Sequence, residues 1–296
     1  MATEYIIQVE NLVKRFGDQT VLDGINLDIV QGETMVIMGG SGCGKSTLLR
    51  TMIGSLMPEE GSVRLFEKTL SELNEEELNE VRKRFGILFQ SGALFNSMTI
   101  AENVALPMQE HTLLDQNIID ISVKIKLELV SLREHADKYP SQISGGMKKR
   151  AGLARALSLD PKILFYDEPS AGLDPVTSAE IDQLMLDLTK KIGVTSVVVT
   201  HDMDSAFTIA DRMCMLDKGK VLMMDKREAF EELRDWPRDR LDELAEDQQL
   251  IRQFLRGDAE GPLTARKAES NYAEDLLGEL PTSFGVGPGI EPTRSM

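Results

Sequence analysis

Gly39-Gly40-Ser41-Gly42-Cys43-Gly44-Lys45-Ser46-Thr47 follows the apolar run Thr34-Met35-Val36-Ile37-Met38 and leads into Leu48, Leu49, Met52, Ile53 and Leu56, which share one helical face. A strand, a glycine loop and a helix in that order, with the spacing G-x-x-x-x-G-K-[ST], form a phosphate-binding P-loop. Each residue type has a physical task. Glycines let successive backbone N–H groups curl around phosphate oxygens, and the helix that begins near Gly44 adds the positive end of its dipole. Lys45 places a point charge on the outer phosphates, and Ser46 offers a hydroxyl to Mg²⁺, a hard cation that prefers oxygen. Cys43 reads as a small residue tolerated in the loop, with reaction toward thiol reagents as the alternative.

Further motifs follow in an order that suits the same chemistry. Ile163-Leu164-Phe165-Tyr166-Asp167-Glu168 is an apolar strand ending in two carboxylates, roughly 120 residues after Lys45. Such a strand end lies beside bound phosphates. Asp167 is expected to hold a Mg²⁺-bound water, and Glu168 to orient and polarise the water that attacks a γ-phosphate. Ser144-Gly145-Gly146-Met147 precedes the helical run Lys148 to Leu157; Ser144 is a natural N-cap, and the glycines bare the backbone as a second anion site. Two triphosphate surfaces on one chain are reconciled if each nucleotide is shared between two chains. His201 ends the run Ser196-Val197-Val198-Val199-Thr200, where an imidazole can face the γ-phosphate. Gln90, after the strand Gly86 to Phe89, offers an amide oxygen to Mg²⁺. Phe16 is either an adenine-stacking ring or a packed turn aromatic.

The rest of the chain bounds the reading. With 296 residues, 42% of them hydrophobic, it can bury a substantial core, and a formal net charge of -16 argues against a nucleic-acid partner. Apolar runs stay short of the roughly 18 residues of a membrane span, and Met1-Ala2-Thr3-Glu4 lacks signal-peptide character, so a cytoplasmic location is expected. Cys43 and Cys214, far apart, give neither a disulfide framework nor a metal site. Alternation from Tyr5 to Val30, with turn signals at Phe16-Gly17-Asp18 and Asp23-Gly24, predicts an antiparallel sheet. Apolar runs at 35–38, 86–89, 163–166 and 196–199 predict buried strands of a mostly parallel sheet. Ile118, Ile121, Ile125, Leu129 and Leu132 recur at near-helical spacing, and 71–84 reads as a solvated helix, acidic and then basic. The expected fold is α/β, a P-loop NTPase (RecA-like) core with an antiparallel β subdomain and an inserted helical subdomain. Its boundaries are 1–96 for the β subdomain and first part of the core, 97–160 for the helical subdomain, 161–225 for the second part of the core, and 226–296 for a helical extension whose end is a flexible tail.

Taken together, the motifs from about Gln8 to Asp225 resemble those of the nucleotide-binding subunits of ATP-binding cassette (ABC) transporters. The resemblance implies Walker A at Gly39 to Thr47, the Q-loop glutamine at Gln90 and the signature at Ser144-Gly145-Gly146-Met147. It likewise implies Walker B at Asp167, the catalytic glutamate at Glu168, the D-loop at Ala171-Gly172-Leu173-Asp174 and the switch histidine at His201. The signature departs from the usual pattern at Ile143 and Met147, and Phe16 stands where Tyr is commoner; neither change removes backbone phosphate contacts. ATP and Mg²⁺ are the implied cofactors, and a homodimer closing on ATP the implied mechanism.

A narrower resemblance rests on Phe89-Gln90-Ser91-Gly92-Ala93-Leu94-Phe95, Glu102-Asn103-Val104-Ala105-Leu106-Pro107 and Ser144-Gly145-Gly146-Met147-Lys148-Lys149-Arg150, with weaker support from Arg252 to Leu255 and Tyr272 to Leu277. These strings are similar to the Mla-type ATPases, which work with an MlaE-like permease, a substrate-binding protein of the MCE class and in some cases a small STAS-domain partner. They imply phospholipid or other lipid transport from the cytoplasmic face of the inner membrane. The alternatives are an importer ATPase for a small polar solute such as an amino acid, a soluble ABC ATPase outside transport, and a nucleotide sensor with Glu168 idle. A permease groove is expected near 91–107, with Leu94, Phe95 and Met98 either as its walls or as subdomain core.

Overall fold

The computed structural model describes residues 5–264. Its first strands, β1 (Tyr5–Phe16) and β2 (Gln19–Val30), form an antiparallel hairpin across Gly17-Asp18. The second turn signal has a different use from the one its composition suggests. Asp23-Gly24 lies inside β2, where Leu12 pairs with Ile25 and Lys14 with Leu22, so the positive-φ Gly24 (69°) sits in a bulge. The Asp23 N–H released from the ladder donates to Gly219 O at 2.9 Å.

The chain continues through β3 (Thr34–Gly39), α1 (Lys45–Met52), β4 (Glu60–Leu65), β5 (Lys68–Thr69), α2 (Glu75–Arg82) and β6 (Phe85–Leu88). Next come three helices, α3 (Ile100–His111), α4 (Gln116–Leu129) and α5 (Gly145–Ala156). After these lie β7 (Ile163–Asp167), α6 (Pro175–Ile192), β8 (Thr195–Val199), α7 (Met203–Ile209), β9 (Arg212–Asp217), β10 (Lys220–Lys226), α8 (Arg227–Asp235) and α9 (Glu246–Arg256). One sheet runs β2-β1-β4-β5 with antiparallel pairing; the other runs β10-β9-β3-β8-β7-β6, parallel except for β10 on β9.

The larger sheet is apolar on both faces, as the four short runs require. Along β3, Met35 and Ile37 join one core with Leu27, Leu48, Met52 and Val63, whereas Val36 and Met38 join a second core with Leu153, Ile181, Ala206 and Phe230. Alternate residues of one strand therefore clamp α1 and the β-hairpin layer on one side and the later helices on the other. The fold is the α/β P-loop NTPase type expected.

Helix starts are set by local chemistry. Asn74 and Thr99 close capping boxes with Glu77 and Glu102, and Asp174 caps α6 by accepting from the N–H groups of Val176 and Thr177, both at 3.1 Å. In α4 the buried face is Ile119, Val123, Lys126 and Leu127, while Ile118, Ile121, Ile125 and Leu129 are exposed. The row that announces the helix is thus its outer stripe, and Leu132 just beyond it is buried. α8 and α9 bury Phe230, Leu233, Ile251 and Leu255 against the second core, and Leu250 is buried as well. Tyr272 to Leu277 and the expected flexible tail lie outside the described residues, and no helix among those described is long and apolar enough to cross a membrane.

Candidate functional site

Four parallel strands, β3, β6, β7 and β8, end on the same edge of the sheet, and the residues that follow them converge on a cleft of about 1020 Å³. Gly39, Gly40, Ser41, Gly42, Lys45 and Ser46 come from the loop after β3, Gln90 from the segment after β6, Asp167 and Glu168 from the end of β7, and His201 from the end of β8. Sequence motifs spread over 163 positions, from Gly39 to His201, are thereby brought into one concavity.

The glycine loop is tightly seated. Gly39 has φ 149°, and a Cβ there would lie 2.2 Å from Leu216 O and 2.7 Å from Cys43 Sγ, so only a bare Cα passes. Lys45 Nζ donates to the carbonyls of Gly39 at 2.7 Å and Gly40 at 3.0 Å, which keeps the cation at the mouth of the loop. Ser41, Gly42 and Ser46 are exposed to the cleft, whereas Cys43 and Gly44 are buried beneath it and Thr47 is half-buried on α1. Burial pushes the Cys43 thiol up, which argues against the reactive-thiol alternative.

Glu168 is the most constrained residue of the cleft. Its φ of 51° is left-handed, a conformation that costs a non-glycine residue about 1–3 kcal/mol and persists only when neighbours fix it. They do: its N–H donates to Val199 O at 2.9 Å, and its carbonyl accepts from Ala171 N at 3.2 Å and from Lys149 Nζ at 3.0 Å. Its carboxylate Oε2 lies 2.8 Å from His201 Nδ1. Asp167 is half-buried; burial pushes its carboxyl above the ordinary range, the Glu168 charge adds to that, and Arg50, Lys149 and Lys45 oppose it. A hard cation in the cleft would meet oxygen donors from Ser46, Gln90 and Asp167 and would favour the ionised form of Asp167, so these residues fit Mg²⁺. No group of three or more His, Cys, Asp or Glu among the described residues is arranged to hold a metal on its own.

The other predicted residues gather at a second place. Ser144 caps α5, its Oγ accepting from Met147 N at 3.3 Å. A Cβ on Gly145 would lie 3.6 Å from Leu173, and one on Gly146 only 2.4 Å from Thr177 Cγ2, so the Ser144 to Met147 turn rests on Leu173 of the Ala171-Gly172-Leu173-Asp174 segment and on Thr177 at the start of α6. None of these eight residues lines the cleft. Phe16 ends β1 and is 50% exposed, with Lys14 Nζ 5.4 Å from its ring centroid, so it is not packed into the turn.

Sequence reasoning missed several residues. Arg50, Asp202, Asp204 and the end of α9 from Phe254 to Gly257 also line the cleft, and Lys149 is 5% exposed. For Lys149 a signal existed: Gly145, Gly146, Gly152 and Leu153 lie three or four positions away, so it stands on the small, apolar face of its helix. A groove of about 750 Å³ is lined by Phe89, Pro107, His111, Arg82 and Arg155 among others, while Leu94 rests partly buried on the core and Phe95 is exposed beside it.

Comparison with known proteins agrees with this geometry. The family model described as "ABC transporter" matches residues 22–171. The chain is 42% identical over 300 residues, covering 98% of it and 83% of the relative, to "Probable ribonucleotide transport ATP-binding protein mkl" of Mycobacterium leprae. It is 40% identical over 273 residues, 92% of this chain and 98% of the relative, to "Intermembrane phospholipid transport system ATP-binding protein MlaF" of Haemophilus influenzae. Among solved structures, a dimeric post-hydrolysis state of an ATP-binding cassette bound to ADP and Pi superposes with a TM-score of 0.69 at 33% identity, covering 75% of this chain and 98% of that one.

Proposed function

Because the chain belongs to the ABC transporter ATPase family, we propose that two copies of it close on ATP·Mg²⁺ and couple hydrolysis to a membrane permease that moves phospholipid. The observation that carries this reading is the division of the motifs between two places. Gly39 to Ser46, Gln90, Asp167, Glu168 and His201 share one cleft, and Ser144 to Met147 with Ala171 to Asp174 stand apart from it. A second copy supplies the missing half of each site if it binds head to tail.

Within each composite site, Gly39 to Thr47 cradle the phosphates and Lys45 places its charge on the outer ones. Phe16 stacks on the adenine. Ser46, Gln90 and, through water, Asp167 hold Mg²⁺, which supplies charge neutralisation on the phosphate oxygens. Glu168 orients and polarises the attacking water, and His201 holds the Glu168 carboxylate and faces the γ-phosphate. Ser144, Gly145, Gly146 and Met147 of the second copy bring N–H and hydroxyl donors to the same phosphate, with Ala171 to Asp174 beside them. Closure is favourable because these donors are gained only in the closed state, and loss of the γ-phosphate removes that difference. Residues 97–160 move as a helical unit linked through Gln90.

For the cargo, the strings Phe89 to Phe95, Glu102 to Pro107 and Ser144 to Arg150 support a Mla-type assembly with an MlaE-like permease and an MCE-class substrate-binding protein, on the cytoplasmic face of the inner membrane; such assemblies in some cases include a small STAS-domain partner. The name of the mycobacterial relative favours a second reading, ribonucleotide transport. Detergent extraction of the chain with its permease, followed by mass spectrometry of bound ligand and ATPase assays in liposomes, separates them. Co-purified phospholipid and turnover stimulated by it are expected; stimulation by ribonucleotides with no bound lipid overturns the lipid reading.

A further inference from the structure

Lys149 is a costly residue where it stands. It is 5% exposed on α5, and burying an ammonium is unfavourable unless polar partners repay the lost hydration. A methionine of similar length would fill the space more cheaply. Its Nζ donates to the carbonyl of Glu168 at 3.0 Å, the atom immediately beyond the strained Cα of the residue that polarises water. Desolvation lowers the Lys149 ammonium, and the nearby Glu168 and Asp167 carboxylates act against that, which places the charge close to both acids.

The grip is long-range in sequence and short in space. Glu168 N–H is held from β8 by Val199, and its carbonyl is held by Ala171 of the following turn and by Lys149 of α5. Of these, Lys149 alone uses a side chain. Helix α5 begins with the Ser144 cap, and Lys149 lies five residues later, about 7.5 Å along the axis at 1.5 Å per residue. The same short rod thus presents donors toward a second copy at its start and holds the carboxylate-bearing turn of its own cleft one and a half turns on. Arg150, the next residue, joins α5 to Glu180 of α6 at 2.5 Å, which limits rotation of the rod.

We propose that Lys149 is a positioning residue for Glu168, fixing the left-handed backbone at that position and linking engagement of Ser144 to Met147 with water activation in the cleft of the same chain. This rests on the assignment of Glu168 as the water-polarising group and of Ser144 to Met147 as the face that meets the second copy's nucleotide. The Lys149 side chain acts on kcat, since it bonds to the Glu168 carbonyl and does not line the cleft where the glycine loop lies.

The test is a double-mutant cycle in ATP hydrolysis, with thermal melting recorded for each variant. Lys149→Met is expected to lower kcat by about 10- to 100-fold while KM for ATP stays within about twofold, the split expected when ground-state binding is untouched. In the Glu168→Gln background the same substitution should change the residual rate by less than about twofold, because a residue that acts through Glu168 has nothing left to position; a packing defect would add its own loss. Lys149→Gln, which keeps a shorter donor, should fall between wild type and Lys149→Met, and it is the deciding variant if the Met form does not melt cooperatively. Wild-type kcat in Lys149→Met, or in Lys149→Gln where the Met form fails to fold, overturns the proposal. So does an undiminished further loss in the Glu168→Gln background. Wild-type turnover in Glu168→Gln itself sinks the underlying reading instead, so the two failures are distinct.

Discussion

His201 Nδ1 lies 2.8 Å from Glu168 Oε2, although the imidazole side chain is 67% exposed and the carboxylate only 15%. A solvent-facing ring therefore holds a sheltered acid, and the pair spans the ends of two neighbouring parallel strands. Replacing Glu168 by Gln keeps the shape of that contact and removes the base. Turnover is expected to fall about 10²- to 10⁴-fold, with ATP affinity retained and a nucleotide-dependent dimer accumulating by light scattering. A monomer at saturating ATP·Mg²⁺ would contradict the shared-site arrangement.

Gly146 offers a steric test of the second place. A Cβ there would come 2.4 Å from Thr177 Cγ2, so Gly146→Ala should lower ATPase activity and ATP-induced dimerisation by about tenfold or more. Thr177→Ser deletes that methyl and keeps the hydroxyl that donates to Asp174 at 2.6 Å. The double variant should regain most of the lost activity. No recovery would mean that Gly146 is needed for a reason other than this contact.

Arg155 ties α5 to the segment after Gln90, its guanidinium donating to Ala93 O at 2.7 Å and Gly92 O at 3.3 Å. Hydrogen bonds from a charged donor contribute about 1.5–3 kcal/mol each. Arg155→Met should speed hydrogen exchange at residues 89–95 by tenfold or more while leaving exchange in the Gly39 to Ser46 loop unchanged. Equal protection in both proteins would show that the two carbonyl contacts do not restrain the segment.

Both thiols are buried, Cys43 at 5% and Cys214 at 0% exposure, and burial raises each of them, Cys214 to about 12. The native protein at pH 7.5 should react with Ellman's reagent at less than about one hundredth of the rate of free cysteine, and both sulfurs should titrate at once in denaturant. Rapid labelling of Cys43 in the native state would show that the loop opens.

Asp182 is 5% exposed; its Oδ2 accepts from Ser205 Oγ at 2.7 Å, and its Oδ1 has no hydrogen-bond partner. Burial raises its carboxyl above the ordinary value, with the Asp202 charge adding to the rise and the Ser205 bond opposing it. A raised folded-state value means that the native state holds the proton more tightly, so this group's contribution is favourable at low pH. That contribution is lost as pH climbs from the unfolded value through the raised one. Asp182→Asn lacks this term, and its melting temperature relative to wild type should increase by a few degrees between pH 4 and pH 7.5. A difference independent of pH would show that the carboxyl ionises without penalty.

Motifs whose chemistry is carried by contiguous residues were legible in the chain. Gly39 to Thr47, the Asp167-Glu168 strand end and the Ser144 cap all need fixed residue types at fixed spacing, and each occupies the element expected for it. The parallel strands were legible because burial on both faces leaves an unbroken apolar run. What stayed hidden depends on tertiary approach. Lys149 lies in Lys148-Lys149-Arg150; its place on the small, apolar face of α5 is readable from the chain, but its partner, the Glu168 carbonyl, appears only in the folded structure. Asp23-Gly24 has turn composition, and only pairing with β1 shows that it makes a bulge. The outer stripe of α4 and its buried face have similar apolar content, so periodicity finds the helix and leaves its orientation open.

The end of α9 borders the same chamber as Lys45 and Glu168, through Phe254, Leu255, Arg256 and Gly257. Leu250 and Ile251 anchor that helix in the interior, and Arg252 pins it by donating to Trp236 O at 2.9 Å. A fragment trimmed just after the last motif, at His201 or even at Lys226, would strip away part of the reaction vessel along with the extension. The walls of the chamber therefore reach as far as Gly257, and substitutions in the C-terminal arm, outside every motif, can alter its lining.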